Sequence, residues 1–277
     1  MNEARTQPIA SEAAAQLIGP LTDLVIRAGE AILAVNRSAM KVDGKQDGSP
    51  VTEADLAADR IISEGLAHIA PEIDSLSEER VHLASPPYRG SFFLIDPLDG
   101  TKEFVAGRNE FTVNLALVSR GQPLLGFVGA PALGLVWRGL VGRGAERLTI
   151  EGNNTIKSVA PIRTRPHPPA GQPWTVAVSR SHGDKRTEAF IASRPGAVRA
   201  ELGSAVKFGR VAEGAVDIYP RLGPTSEWDV AAGHAVVTAA GGKVTDGRGA
   251  DLHFGLKRAD FIVSEFVAWG DPAAASF

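Results

Sequence analysis

Two aspartates three residues apart close an apolar run in the string Phe92-Phe93-Leu94-Ile95-Asp96-Pro97-Leu98-Asp99-Gly100-Thr101. The run has the character of a strand, and Pro97, which has no amide hydrogen to give, stops its ladder. Beyond that stop the two carboxylates can converge. Gly100 lets backbone approach a ligand closely, and amides at Gly100 and Thr101 can receive an oxyanion if a helix or turn begins there. Hard oxygen ligands beside an anion cradle are the chemistry of magnesium and phosphate. The same string also reads as a plain Asp-Pro turn.

Further groups of the right type stand elsewhere in the chain. Glu78 and Glu79 follow the apolar stretch 73–76, so carboxylates again sit where a strand stops; as a solvated turn they need no metal. Asp229, after Trp228, either caps the helix that follows or closes a metal site from the second half of the chain. Ser179, His182, Lys207 and Arg221 offer donors for a second anionic group several ångströms from the first. Taken singly, each also reads as an ordinary surface charge or polar loop residue.

These groups need a scaffold, and the periodicity supplies one. Apolar residues from Leu17 to Leu33 recur near the helical period and predict a helix over 11–35. Thr52 is placed to cap a second amphipathic helix that runs to Ile69 and closes at Pro71. Short apolar runs at 73–76, 91–95, 111–118 and 124–129 predict a mostly antiparallel sheet. The Pro-, Asn- and Gly-rich stretch 152–173 marks a connection or seam. After it come a strand at 174–178, helices at 185–193 and 203–213, a strand at 215–219 and a helix at 230–240. Two closely packed subdomains are expected, 1–155 carrying the metal site and 156–277 binding substrate.

Bulk composition narrows the function. With 277 residues, 44% of them hydrophobic, the chain can bury a large core. A formal net charge of -3 gives no broad pull toward nucleic acid or an anionic membrane, so an anionic substrate must be held by a local site, which a metal would provide. The absence of cysteine excludes disulfides, thiolate zinc sites and a cysteine nucleophile, and fits a reducing compartment. With no apolar stretch long enough to span a bilayer and no signal-like start, the cytoplasm is the expected location.

The phrases Asp96-Pro97-Leu98-Asp99-Gly100-Thr101, Glu78-Glu79 and Trp228-Asp229-Val230-Ala231-Ala232-Gly233 together resemble the three-part signature of the inositol monophosphatase superfamily of lithium-sensitive magnesium phosphatases. The resemblance runs from Gly48-Ser49-Pro50-Val51-Thr52-Glu53-Ala54-Asp55 to at least Gly242. It implies an α+β fold of the layered αβαβα sugar-phosphatase type. It further implies that Glu78, Asp96 and the Leu98 carbonyl hold one magnesium, that Asp96, Asp99 and Asp229 hold a second, and that Glu78 contributes to a third, weaker one. Thr101 and Asp55 match the pair that orients the attacking water, and with Glu78 they form the catalytic set. Lithium inhibition follows from the same likeness.

Lys102-Glu103-Phe104, Ser179-Arg180-Ser181-His182, Gly203-Ser204-Ala205-Val206-Lys207-Phe208 and Tyr219-Pro220-Arg221-Leu222-Gly223-Pro224-Thr225 resemble the CysQ-type 3'(2'),5'-bisphosphate nucleotidase branch. That branch implies hydrolysis of adenosine 3',5'-bisphosphate (PAP) to AMP and phosphate. Gly100, Thr101, Ser179, His182, Lys207, Arg221 and Asp229 would then contact the substrate. The common Gly-Ser-Ser-Leu-Lys phrase of the branch is Gly203-Ser204-Ala205-Val206-Lys207 here, one hydroxyl fewer. An inositol monophosphatase, a broader sugar phosphatase and a non-catalytic partner-binding protein are the alternatives. Beyond the small phosphorylated substrate no stable nucleic-acid partner is expected, and a homodimer is left open.

Overall fold

The computed structural model describes residues 7–37, 39–40, 42–44, 50–84, 87–88, 90–180, 183–256 and 261–276. The helix expected over 11–35 is divided into α1 (Ser11–Gln16) and α2 (Ile18–Ala34), which meet at Leu17. Pro20 is the physical reason: it has no hydrogen to return to the carbonyl four residues earlier, so it is tolerated only in a helix's first turn. A short hairpin, β1 (Val42–Gly44) with β2 (Pro50–Thr52), leads into α3 (Glu53–Ile69). Thr52 caps α3 as expected, its hydroxyl accepting from the Ala54 amide at 3.2 Å.

The first sheet holds β3 (Asp74–Ser77), β4 (Ser91–Asp99), β5 (Thr112–Ser119), β6 (Gln122–Ala130), β7 (Leu135–Leu140), β8 (Gly144–Glu151) and β9 (Thr155–Ile162), in that spatial order. Only β3 and β4 run parallel. A one-turn helix, α4 (Thr101–Val105), follows β4. The stretch 152–173, expected as a connection, contains β9, which hydrogen-bonds to β8 and extends this sheet. Most β9 side chains are exposed on both faces, so the strand carries no burial-driven alternation that a sequence could display.

The second half contributes β10 (Thr175–Ser179), α5 (Lys185–Ala192), β11 (Val198–Leu202), α6 (Val206–Ala212), β12 (Ile218–Arg221), β13 (Thr225–Ser226), α7 (Glu227–Ala239), β14 (Lys243–Thr245), β15 (Ile262–Val263) and β16 (Phe266–Trp269). Its main sheet is ordered β11-β10-β12-β16-β14, and β13 pairs with β15 apart from it. The helix expected from residue 203 begins only at Val206, because Ser204 is left-handed at φ 46°. Among the described residues no helix is long and apolar enough to cross a membrane.

Alternation along β4 explains the layering. Phe93 and Ile95 pack with α2 and α3, whereas Phe92 and Leu94 pack with α6 and α7. Burial of both faces makes the strand a continuous apolar run rather than an alternating one. The opposite side of α6 meets Tyr219 and Phe266 of the second sheet, and α5 covers that sheet's outer face through Ile191. The result is helix, sheet, helix, sheet, helix: the expected αβαβα order. α7 is the shared element, buried on nearly every side and correspondingly apolar all round.

α7 lies so close to the first sheet that a Cβ on Gly126 would stand 2.3 Å from the Ala232 carbonyl oxygen. That oxygen is helix backbone and cannot turn aside. Gly126→Ala is therefore expected to cost about 1–3 kcal/mol of stability. Gly152→Ala, which meets no atom within 4 Å, should stay within about 0.5 kcal/mol. Urea unfolding of both variants checks the contrast.

Candidate active site

The chemistry begins at the broken end of β4. Asp96 lies opposite Asn114 and Asp99 opposite Thr112, so three steps on one strand match two on the other. In a regular strand residues three apart face opposite ways; the extra residue of this bulge restores them to one face. Pro97 occupies the irregular stretch, where its missing donor is harmless. Ser77 of β3 is paired in parallel with Ile95, so Glu78 leaves the sheet beside Asp96. Asp229 arrives from the second half on the first turn of α7, where its Oδ2 accepts from the Ser226 amide at 3.1 Å and from the Thr225 hydroxyl. It caps the helix and lines the cleft at once.

Glu78, Asp96 and Asp229 each offer an oxygen within 4.8 Å of the other two. Asp96 is 1% exposed; its Oδ1 accepts from the Leu98 amide at 3.1 Å, while its Oδ2 is buried with no hydrogen-bond partner. Burial, reinforced by Glu78, Asp99, Asp229 and Asp55, holds its carboxyl well above the usual range. Burial and the neighbouring Asp229 likewise raise Asp99 to about 6. An orphaned buried oxygen among converging carboxylates fits a hard divalent cation, which would relieve the desolvation and the repulsion together. Asp99 is held somewhat apart: its Oδ2 accepts from the Ala205 amide at 2.7 Å, Thr112 Oγ1 at 3.3 Å and Asn114 Nδ2 at 3.4 Å.

Thr101 and Asp55 do meet. The Thr101 hydroxyl lies 3.0 Å from Asp55 Oδ1 and 3.2 Å from the Leu98 carbonyl oxygen. Asp55 spends its other oxygen on the Thr52 amide at 2.8 Å and hydroxyl at 2.6 Å, so one carboxylate both closes the start of α3 and reaches the site. Gly100 takes φ 91° at the start of α4, and a Cβ there would fall 2.1 Å from Ser204 Oγ. The glycine thus serves a crossing of two chain segments as well as the turn.

Ser179, Lys207 and Arg221 line the same cleft, about 200 Å³, as Glu78, Asp96, Asp99, Thr101 and Asp229. His182 lies outside the described residues. Lys207 is no surface lysine: it is 2% exposed and donates to the Leu202 and Ser204 carbonyls at 3.2 and 2.6 Å, with its Nζ 5.1 Å from the Tyr219 ring centroid. Burial lowers its pKa to about 8. Arg221 donates to the Pro224 carbonyl at 3.2 Å. Arg180, beside Ser179, turns instead to Glu110 at 2.6 Å. Sequence reasoning quoted Ser204 in its phrase but gave it no role; its hydroxyl donates to the Asp99 and Glu110 carbonyls at 2.8 and 3.0 Å. It also missed Tyr219 and Phe266 in the cleft wall. Tyr219 opens the quoted phrase that holds Arg221, whereas nothing in the chain announces the left-handed Ser204.

A cation bound among these carboxylates would have to compete with protons for them. Raised acid pKa values mean that the folded, metal-free protein binds more protons than the unfolded one, so Asp99 lowers its stability as pH climbs from about 4 through 6, and Asp96 acts in the same direction. The rise in Tm produced by a saturating divalent cation is therefore expected to be small at pH 4 and large at pH 7. Equal rises at both pH values, followed by scanning fluorimetry, would contradict this site.

The sequence model of the Inositol monophosphatase family matches residues 14–274. The chain is 39% identical over 246 residues to the 3'(2'),5'-bisphosphate nucleotidase CysQ of Salmonella typhimurium, covering 86% of this chain and 94% of that protein. Its identity to the nucleotidase CysQ of Escherichia coli K12 is 37% over the same shares. The crystal structure of CysQ from Bacteroides thetaiotaomicron, a bacterial member of the inositol monophosphatase family, matches with a TM-score of 0.71 at 30% identity, covering 90% of this chain and 95% of that one. The extragenic suppressor protein suhB from Bartonella henselae matches at 0.73 and 22% identity, covering 93% and 95%, a likeness of fold alone. Since the match spans nearly the whole chain and includes every element that carries a site residue, this protein belongs to the inositol monophosphatase family.

Proposed function

We propose that this chain is a magnesium-dependent, lithium-sensitive phosphomonoesterase that hydrolyses adenosine 3',5'-bisphosphate to AMP and phosphate. The observation that carries the reading is one cleft with two chemistries: three converging carboxylates with an unpartnered Asp96 oxygen, and the cations Lys207 and Arg221 in the same lining. Kinship with proteins named 3'(2'),5'-bisphosphate nucleotidase at 37–39% identity supports the substrate.

A phosphate dianion cannot approach this many acids unaided. Magnesium held by Glu78, Asp96, Asp229, Asp99 and the Leu98 carbonyl would supply positive charge to the phosphate oxygens and the leaving alkoxide, and acidify water. The protein's own part is orientation. Thr101 donates its hydroxyl hydrogen to Asp55, which leaves a lone pair to accept from the attacking water and aim it at phosphorus. Attack forms one P–O bond and breaks the bond to the sugar oxygen, which takes up a proton as AMP departs. Amides at Gly100 and Thr101, where α4 starts, face the phosphate that reacts. Two of the three Lys207 donors are committed to backbone, so Arg221 is the main contact for the phosphate that stays, with Lys207 adding charge and one hydrogen bond.

Turnover of adenosine 3',5'-bisphosphate, inositol 1-phosphate and fructose 1,6-bisphosphate, each with magnesium, with added millimolar lithium and after chelation, tests the reading. The bisphosphate nucleotide is expected to lead, and magnesium-dependent preference for inositol 1-phosphate would overturn the substrate. Asp96→Asn should retain less than about a tenth of wild-type turnover, a barrier increase above ~1.4 kcal/mol, in a protein that still folds. Arg221→Ala should raise KM for the bisphosphate by about 1.5–3 kcal/mol in binding terms while leaving KM for inositol 1-phosphate nearly unchanged. Equal losses on both substrates would place Arg221 in the scaffold instead.

A further inference from the structure

Asp59 follows Asp55 by one turn on the same face of α3 and is 5% exposed. Asp55 reaches Thr101; Asp59 reaches the turn that carries Glu78. Its Oδ1 accepts from Ser77 Oγ at 2.6 Å and its Oδ2 from Arg80 Nε at 2.7 Å. Ser77 Oγ accepts in turn from the Glu79 amide at 3.3 Å. Residues 77 and 80, one on each side of Glu78 and Glu79, are therefore fastened to one buried carboxylate. Arg80 meanwhile departs from helical geometry, with φ -123° and ψ 17°, inside the short 3-10 segment Glu78–Leu83.

We propose that Asp59 is a positioning residue that sets the carboxylate of Glu78 against Asp96 and Asp229. This rests on the reading of those three acids as a divalent-cation site. α3 then aims both parts of the centre: Asp55 the water-orienting hydroxyl, Asp59 the metal-binding turn. Stability is a poor explanation for the arrangement. The Arg80 side chain is 43% exposed, so solvent screens the ion pair, and the buried carboxylate costs desolvation that such a pair barely offsets. An amide would change the contact: with its oxygen kept on Arg80, its NH2 group would donate to the Ser77 hydroxyl, which would then lose the acceptor that now orients it.

The test is calorimetric titration of the chelator-stripped full-length protein with magnesium chloride alone, for wild type, Asp59→Ala, Ser77→Ala and the double variant. Each single variant is expected to bind magnesium about tenfold more weakly, the loss customary for an outer partner of a metal ligand. The double variant should be little worse than Asp59→Ala alone, since the Ser77 hydroxyl acts through that carboxylate. In turnover the change should appear in the half-saturating magnesium concentration rather than in KM for the phosphate substrate. Wild-type magnesium affinity in Ser77→Ala and Asp59→Ala would overturn the proposal while leaving the cation site intact. Absence of magnesium uptake by the wild type would overturn both. Should Asp59→Ala fail to fold, Ser77→Ala, which deletes a single hydroxyl, decides alone.

Discussion

The repulsion among buried carboxylates is the constraint around which this molecule is arranged. Asp96 and Asp99 sit in low dielectric with Glu78, Asp229 and Asp55 near enough to raise the pKa of Asp96. Left to itself such a cluster would push apart or take up protons. It persists because each acid is anchored by the element that bears it: a bulge for Asp96 and Asp99, a parallel strand end for Glu78, and helix starts for Asp55 and Asp229. Chain ends of this kind carry the site because backbone there is released from regular pairing.

Helix starts recur for a physical reason. The first turn of a helix has amides without intrahelical partners and favours negative charge, so an aspartate is welcome there even before any ligand arrives. Asp55 and Asp229 each satisfy such an amide with one oxygen, Thr52 in one case and Ser226 in the other. The residues that would be read as plain caps are therefore also the ones held rigidly enough to serve chemistry. Catalysis by orientation needs that rigidity.

Much of this was legible in the chain. The three acidic phrases stood where strands stop and helices begin, and the apolar run 92–95 announced a strand. What the chain concealed depends on neighbours. Parity between Asp96 and Asp99 is set by a bulge that exists only against β5. β9 carries exposed side chains and so no alternation, although it completes a sheet. Lys207 looks like any surface lysine until α6 and the second sheet enclose it. Asp59 was unremarkable on its helix because its partners, Ser77 and Arg80, come from another element.

The sharing of α7 between both sheets bears on the order in which the molecule is made. Glu78, just past β3, and Asp96, on the adjacent β4, are close in sequence, whereas Asp229 is separated from Asp96 by a loop about sevenfold longer, which adds roughly 2 kcal/mol of closure entropy. On the ribosome the first sheet emerges long before its third acid and before the helix that covers one of its faces. Phe92, Leu94, Ala116, Val118 and Val128 then wait uncovered for α6 and α7. Until α6 and α7 are made, that face of the sheet has no cover within the chain.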